Sequence, residues 1–210
     1  MKEKIIKAIK AIKDPGYALH ILLYRYGKLS FRKKIFHHSE EYRSISENGD
    51  DLGSVAEIGC GYGGQALVND QLLEVKHTTL FDLPFVNKLI ERYLDTYLLN
   101  GAYKVTTINK EVCRDYDLVI SNYAFSELPK KLQLKYIDKL LAKSSRGYLT
   151  MNSGLVDSCS AGKLSIDELR DILPQFEVFE ENPLTSPYNY IIAWGYDSIF
   201  SNKMMKIKNV

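Results

Sequence analysis

The chain has 210 residues, a formal net charge of +2, and 45% hydrophobic and 26% charged residues. This length is typical of one domain with a sizeable core, and a net charge so near zero does not favour a nucleic acid as partner. The three cysteines lack metal-ligand spacing, which indicates reduced thiols in a cytoplasmic protein without a metal. No apolar run has the length of a bilayer span, and lysines interrupt the apolar N-terminal positions, which argues against a secretory signal.

Residues 2–13 have the pattern of an amphipathic helix, in which Ile5, Ile9 and Ile12 share a stripe that the lysines avoid. The pattern fits a helix that packs on the protein or on a partner. It also fits weak, peripheral contact with an anionic membrane surface, which would be the inner face of the membrane. Asp14-Pro15-Gly16 then ends the helix.

Residues 17–47 are predicted to be helical, with a break near Tyr26-Gly27. Residues 1–52 together are predicted to form an N-terminal helical cap that covers the acceptor cleft. His37 and His38 are adjacent, and adjacent side chains on a helix face different directions, so a two-histidine metal site is not predicted. Either histidine is a candidate base in the substrate cleft, although both also suit an exposed surface.

From residue 53 to residue 197 strands and helices alternate, which predicts a Rossmann-like α/β core. The last two predicted strands follow each other without a helix, so they should pair in antiparallel fashion on a mostly parallel sheet. Residues 198–210 are predicted to be a frayed, lysine-rich tail. The predicted strands are 54–58, 77–82, 104–108, 117–121, 147–151, 176–180 and 189–195, and the predicted helices are 64–74, 84–99 with an Asn100-Gly101 cap, 129–143 and 165–173 with a capping box.

A glycine-rich turn follows the first predicted strand, where Gly59, Gly61 and Gly64 fit the dinucleotide-binding fingerprint. Glycines allow a sharp turn and close approach of a ligand, and the free N–H groups at the start of the next helix suit an anion such as a carboxylate or a phosphate. The alternative is a turn that only lets the strand and the helix pack closely.

Asp82 ends the second predicted strand, roughly twenty positions beyond the glycine turn. An acidic residue at this place suits the two hydroxyls of a ribose. Asp82-Leu83-Pro84 also leads into a helix, so an N-cap role is a second interpretation of the same aspartate.

Ligands of open α/β sheets bind outside the carboxyl ends of the strands. This rule predicts that the polar residues that follow each strand lie together at one edge of the sheet. They are Glu57 to Gly63, Asp82, Asn109, Ser121 to Tyr123, and Asn152 with Ser153.

The segment Glu57-Ile58-Gly59-Cys60-Gly61-Tyr62-Gly63 resembles the first motif of class I S-adenosylmethionine-dependent methyltransferases, with Cys60 where the family often has glycine. Three stretches add a resemblance to sugar O-methyltransferases of bacterial surface-polysaccharide loci: Tyr62-Gly63-Gly64, Asp82-Leu83-Pro84 with Glu91 to Leu94, and Asn122 to Glu127. The resemblance implies a seven-stranded sheet with an antiparallel last strand and S-adenosylmethionine as cofactor. The implied cofactor-binding residues are Glu57, Gly59, Gly61, Tyr62, Gly63, Asp82, Leu83, Asn109, Ser121 and Asn122.

Within this resemblance the glycine turn holds the methionine end of the cofactor and Asp82 its ribose. Asn109 is a candidate for the adenine amine or an ordinary turn residue.

The implied reaction is methylation of a hydroxyl on a nucleotide- or lipid-linked sugar or glycan, and a hydroxyl needs a base. Glu127 is the first candidate base, and His37 and His38 are the next candidates. The alternative for Glu127 is that its negative charge only stabilises the N-terminus of a helix. Tyr123 and Asn152 are candidates for binding the acceptor. A non-catalytic S-adenosylmethionine-binding scaffold, and methylation of a small metabolite or a protein, are the alternative functions.

Overall fold

The computed structural model describes residues 38–39, 41–45, 51–110, 115–155, 162–204 and 206–207. The chain forms two compact units, Met1–His38 and Ser39–Val210, so the second unit begins before the predicted core boundary at residue 53. His38 alone is described in the first unit. The amphipathic segment 2–13 and His37 lie outside the described residues, and the predicted cap therefore stays a prediction.

The second unit is built on a seven-stranded sheet with the order β3-β2-β1-β4-β5-β7-β6. Neighbours among β1 to β5 pair in parallel, whereas β7 is antiparallel to both β5 and β6. The predicted fold class, with its antiparallel last strand, is confirmed. The strands are β1 (Asp51–Ile58), β2 (Glu74–Phe81), β3 (Ala102–Thr106), β4 (Leu118–Asn122), β5 (Arg146–Met151), β6 (Glu177–Glu180) and β7 (Tyr190–Trp194).

Helices connect the strands, and residues 41–44 are helical before the first strand. None of the helices in the described ranges is long and apolar enough to cross a membrane. The named helices are α1 (Gly64–Leu72), α2 (Pro84–Leu94), α3 (Ala124–Glu127), α4 (Lys130–Lys139), a 3₁₀ turn (Leu141–Lys143), α5 (Ile166–Ile172) and α6 (Ser198–Lys203). The predicted capping box of α5 is confirmed, because the Ser165 hydroxyl accepts the Glu168 N–H while the Glu168 carboxylate accepts the Ser165 N–H.

The core lies on both faces of the sheet, because successive residues of a strand point to opposite sides. On β4, Val119 packs with α4 and α5 on one face, while Leu118 and Ile120 pack with Tyr42 and Ile45 on the other. A third cluster fills the space between β2 and the helices α1 and α2. This burial places residues 41–45 in the core of the second unit.

The predicted end of the second helix at Asn100-Gly101 is wrong, because α2 ends at Leu94. The buried carboxylate of Asp70 on α1 accepts the N–H groups of Asn100 (2.9 Å) and Gly101 (2.8 Å). This contact draws the segment after α2 back toward α1, so β3 begins at Ala102 rather than at the predicted Lys104.

The C-terminal segment is also more ordered than predicted, since 198–203 form α6 rather than a frayed tail. Phe200 is fully buried and packs against the rings of Phe179 (5.3 Å) and Tyr148 (6.2 Å). Lys206 then forms a β-bridge with Phe179. A buried aromatic side chain in a polar segment anchors the chain end to the sheet.

Candidate functional site

The glycine turn between β1 and α1 passes close to α3. Gly59 has a φ of +73°, and a β-carbon at this position would lie 2.0 Å from the β-carbon of Ala124. Gly61 has a φ of +56° and nothing within 4 Å of the place where a β-carbon would lie. The packing of the turn against Ala124 therefore leaves no room for a side chain at Gly59. At Gly61 the bare backbone faces open space, as close approach of a ligand requires.

Asp82 connects the end of β2 to this turn. Its Oδ2 accepts the N–H of Cys60 (2.8 Å) and of Gly61 (3.2 Å), and its Oδ1 accepts the N–H of Leu83 (2.7 Å). The N-cap of α2 is Leu83 and has no side-chain cap, so the N-cap interpretation of Asp82 is wrong. Two N–H groups of the turn, those of Cys60 and Gly61, are therefore bonded to this carboxylate.

Glu57 places a second carboxyl group beside the turn. Its side chain is 4% exposed, and among the described residues Oε2 has no hydrogen-bond partner. Burial, and to a lesser extent the negative charge of Asp82, raises the pKa of Glu57 to about 8. A buried oxygen without a partner next to a second acid favours a cationic ligand at this position.

Three other predicted cofactor residues surround the turn. Gly63 is the N-cap of α1 and donates its N–H to the Cys60 carbonyl (2.9 Å). The ring of Tyr62 folds over Gly64 and packs edge-to-face on Tyr93 at 5.0 Å. Leu83 is 54% exposed, although it is apolar. Gly63 and Tyr62 thus shape the turn, and Leu83 presents an apolar surface next to Asp82.

Ser121 and Asn122 end β4, and their side chains are bonded within the protein. The fully buried Ser121 hydroxyl donates to the Ile58 carbonyl (2.9 Å) and accepts the Phe125 N–H (3.0 Å). Asn122 is bonded to the hydroxyls of Tyr42 (3.1 Å) and Thr150 (3.2 Å). Ser121 therefore holds the end of β4 against β1, whereas the partly exposed Asn122 borders the site.

Asn109 lies beyond β3 and is exposed. Its side-chain oxygen accepts a hydrogen bond from Nζ of Lys135 on α4. The turn interpretation of Asn109 thus has a structural partner, and the oxygen that would accept the adenine amine is the atom that is bonded to Lys135.

The candidate base and one candidate acceptor residue are in contact. The Asn152 amide donates to Oε1 of Glu127 (2.8 Å), and its oxygen accepts the Ser126 hydroxyl (2.7 Å). Glu127 is exposed, and Phe125 is fully buried in the core. Phe125 therefore does not desolvate the Glu127 carboxylate, because its ring lies in the protein core.

Tyr123, the other candidate acceptor residue, has a φ of +68°, the single positive value among the described residues other than glycine. Its hydroxyl donates to the carboxylate of Glu181, which lies directly after β6. Burial raises the pKa of Tyr123, and its hydrogen bond to Glu181 raises it further. The phenol therefore keeps its proton at neutral pH.

The structure does not test the two candidate histidines as bases. His37 is outside the described residues, and His38 belongs to the first compact unit. Within the described ranges, no three histidine, cysteine, aspartate or glutamate residues are grouped so that they would hold a metal ion.

Sequence reasoning missed Tyr42, Ser126 and Glu181. Of these three residues, Glu181 alone could have been found from the rule that ligands bind outside the carboxyl ends of the strands. It follows β6, which runs parallel to β5 and ends at the same edge of the sheet. Tyr42 reaches the site through tertiary packing and carries no sequence pattern, whereas Ser126 lies next to Glu127 in the stretch Asn122 to Glu127 that carries the resemblance.

No protein-family model matches the sequence, and no curated protein matches it. Solved structures do match. The plantazolicin methyltransferase BpumL in complex with SAH is 14% identical with a TM-score of 0.53, and the match covers 92% of this chain and 95% of that one. The N-methyltransferase NodS from Bradyrhizobium japonicum WM9 in complex with S-adenosyl-L-homocysteine is 15% identical with a TM-score of 0.55 and coverages of 81% and 89%. The mitomycin 7-O-methyltransferase MmcR is 10% identical with a TM-score of 0.55 and coverages of 89% and 59%.

These neighbours, together with the strand order, define the fold of the chain as that of class I methyltransferases. The identities are low, so the comparison concerns the fold and leaves the function to the residues of the site.

Proposed function

We propose that this protein is an S-adenosylmethionine-dependent O-methyltransferase and that its acceptor is a hydroxyl of a sugar or glycan. The observation that carries the proposal is the convergence, at one edge of the sheet, of a cradle for the cofactor and a carboxylate for the acceptor. The cofactor cradle consists of Glu57, Gly61 and Asp82. The acceptor carboxylate is that of Glu127, which Asn152 contacts.

The residues present fit the cofactor. S-Adenosylmethionine supplies an electrophilic methyl group on a sulfonium centre, so it brings a positive charge. Two carboxyl groups lie beside the turn, and Oε2 of Glu57 has no partner among the described residues. We assign Glu57 and the turn at Gly61 to the amino-acid end, Asp82 to the ribose, and the exposed Leu83 to the adenine face.

The bonds of Asp82 to Cys60 and Gly61 support this assignment. They aim the carboxylate at the mouth of the turn. Of its about four accepting positions, Cys60, Gly61 and Leu83 use three, so one on Oδ1 remains for a ribose hydroxyl. Binding at this place adds a hydrogen bond without breaking those that hold the turn.

The acceptor residues follow β4 and β5. Glu127 accepts the proton of the attacking hydroxyl, and the Asn152 amide holds the Glu127 carboxylate in one orientation. Tyr123 and the Asn122 amide border the same place. The groups at this edge are hydroxyl, amide and carboxylate groups, which suits a polyhydroxylated acceptor.

The experiment has two stages. Calorimetry of the purified protein with S-adenosylmethionine tests cofactor binding, and we expect saturable binding of one molecule per chain. Turnover is then followed as formation of S-adenosylhomocysteine with pooled nucleotide sugars, lipid-linked glycans, small phenols and amines as separate acceptors. We expect turnover with the sugar acceptors.

Each outcome separates one alternative. Binding without turnover on any acceptor indicates a non-catalytic scaffold. Turnover confined to phenols, amines or protein keeps the methyltransferase assignment and contradicts the sugar acceptor. A protein that does not bind S-adenosylmethionine contradicts the whole proposal.

A further inference from the structure

The segment that follows β6, residues 181–189, connects β6 to β7 and reaches back across the sheet. We call it the β6–β7 loop. In the strand order, β5 and β7 lie between β4 and β6, so the ends of β4 and β6 are about 14 Å apart at the usual strand spacing. Tyr123 at the end of β4 is nevertheless hydrogen-bonded to Glu181. The contact spans the carboxyl end of β5 and the amino end of β7, which lie between β4 and β6.

Glu181 is the centre of this contact. It is 3% exposed, and its Oε1 accepts the Tyr123 O–H. Its Oε2 accepts the Thr185 N–H (2.7 Å), the Thr185 hydroxyl (2.8 Å) and the Asn189 amide (3.2 Å). The Glu181 carboxylate thus accepts hydrogen bonds both from within the β6–β7 loop and from Tyr123 at the end of β4. These bonds use about the full accepting capacity of a carboxylate.

We propose that Glu181 is a positioning residue that holds Tyr123 and the β6–β7 loop as one wall of the acceptor cleft. The proposal rests on the proposed function, because it assigns this wall to the acceptor side of that same site. Tyr123 stands between Asn122, which borders the cofactor, and α3, which ends with the candidate base Glu127. The loop presents two exposed large side chains, Leu184 (60%) and Tyr188 (52%), beside this wall.

The backbone at Tyr123 supports a fixed role for its side chain. A φ of +68° is unfavourable for a residue with a β-carbon, and such strain persists where the surroundings determine the conformation. The hydrogen bond to Glu181, the N–H bond to the Thr150 carbonyl (2.8 Å) and the bond from the Ser126 hydroxyl to the Tyr123 carbonyl (2.7 Å) supply these constraints. The phenol is therefore held at one place at the edge of the sheet.

The test compares Tyr123→Phe, Glu181→Ala and Glu181→Gln with the parent in acceptor turnover and in S-adenosylmethionine binding. Tyr123→Phe removes the contact to β4 and leaves the bonds of Glu181 within the loop. We expect Tyr123→Phe and Glu181→Ala to raise the acceptor KM roughly ten- to hundredfold, because each removes a hydrogen bond to a charged group. The Kd for S-adenosylmethionine should stay within about twofold, since neither residue touches the glycine turn.

Two comparisons separate positioning from other roles. In Glu181→Gln the side-chain amide donates to the Tyr123 oxygen while its carbonyl still accepts from Thr185, so we expect recovery of most of the acceptor affinity lost in Glu181→Ala. The double variant Tyr123→Phe with Glu181→Ala should be no worse than Glu181→Ala alone, because both act through one contact. Tyr103→Phe is the matched control, since it removes a tyrosine–carboxylate contact with Asp95 beside β3, at the other edge of the sheet, and should leave both constants unchanged.

An active parent with an unchanged acceptor KM in Tyr123→Phe or in Glu181→Ala overturns the inference and leaves the proposed function intact. A Glu181→Gln variant that is as impaired as Glu181→Ala also overturns it. If the parent binds S-adenosylmethionine but transfers no methyl group to any acceptor, the proposed function fails and the inference fails with it.

Discussion

Asp82 and Cys60 join the end of β2 to the glycine turn after β1, through a 2.8 Å hydrogen bond from the Cys60 N–H to the Asp82 carboxylate. The same oxygen accepts the Gly61 N–H. The aspartate that we assign to the cofactor ribose is thus also the residue that sets the shape of the turn. Its substitution should therefore change both ribose binding and the conformation of the turn.

Asp82→Ala is expected to weaken S-adenosylmethionine binding by about 2–4 kcal/mol, because a charge-assisted hydrogen bond to a ribose hydroxyl is lost together with the bonds that hold the shape of the turn. Calorimetry measures the change. Asp82→Asn is the matched control, since its amide keeps one acceptor oxygen and the shape of the side chain, and it should fall between the parent and Asp82→Ala. Parent-like affinity in both variants would remove Asp82 from the site.

Glu57 should make the stability of the free protein fall as the pH rises. Its pKa is raised from 4.5 to about 8, so between these values the folded protein binds a proton that the unfolded chain has released. The free energy of unfolding therefore decreases with pH across this window, in total by up to a few kcal/mol. Urea unfolding of the parent at pH 5 and pH 8.5 measures the decrease.

Glu57→Gln is the control for this effect, because its neutral amide has no charge to bury at high pH. We expect a smaller decrease in this variant and a stability above that of the parent at pH 8.5. Equal pH dependence in the two proteins would show that Glu57 does not titrate in this window.

The position of the glycine turn beside Asp82 was predictable from the sequence because it depends on local pattern. The spacing from Gly59 to Asp82 reflects one strand–turn–helix–strand unit, and parallel strands bring their carboxyl ends to one edge. The alternation of strands and helices likewise predicted the sheet, including the antiparallel pairing of β6 and β7.

The features that sequence reasoning missed depend on contacts between distant residues. The end of α2 is determined by Asp70, thirty positions before Asn100, and no local signal at Asn100-Gly101 reveals that contact. Glu181 meets Tyr123 because the β6–β7 loop returns over two strands. The exposure of Glu127 follows from Phe125 turning into the core, which the order of residues does not determine.

Gly59→Ala should destabilise the protein far more than Gly61→Ala. Both positions have positive φ, which costs an alanine roughly 1–2 kcal/mol. At Gly59 the added methyl group also lies 2.0 Å from the β-carbon of Ala124, a short side chain with no freedom to move aside, whereas at Gly61 it meets nothing. Urea unfolding of both variants measures the difference, and equal losses would contradict the close packing of the turn on α3.

Truncation should show where the folded core begins. A protein that starts at Ser39 keeps the whole second unit and should unfold cooperatively. A protein that starts at Gly53 loses Tyr42, Ile45 and Leu52, each 0% exposed. The loss of a large buried side chain costs about 2–5 kcal/mol, so three cost roughly 6–15 kcal/mol. This cost is comparable with the whole free energy of unfolding of a typical domain, about 5–15 kcal/mol.

We therefore expect the shorter protein to be largely unfolded by circular dichroism and by its response to urea. A shorter protein as stable as the longer one would show that residues 39–52 are dispensable, as the predicted boundary at residue 53 implied.

Glu127→Gln should lower turnover roughly a hundredfold or more while S-adenosylmethionine binding stays close to that of the parent. The amide keeps the size of the side chain but accepts no proton from the acceptor hydroxyl. Asn152→Ala should lower turnover less, because the carboxylate remains and loses only the amide that orients it at 2.8 Å. Glu74→Gln is the matched control, since Glu74 begins β2 at the opposite end of the sheet and is also exposed. Turnover of Glu127→Gln within a few-fold of the parent would reject Glu127 as the base, and His37 and His38 would then be substituted in the same assay.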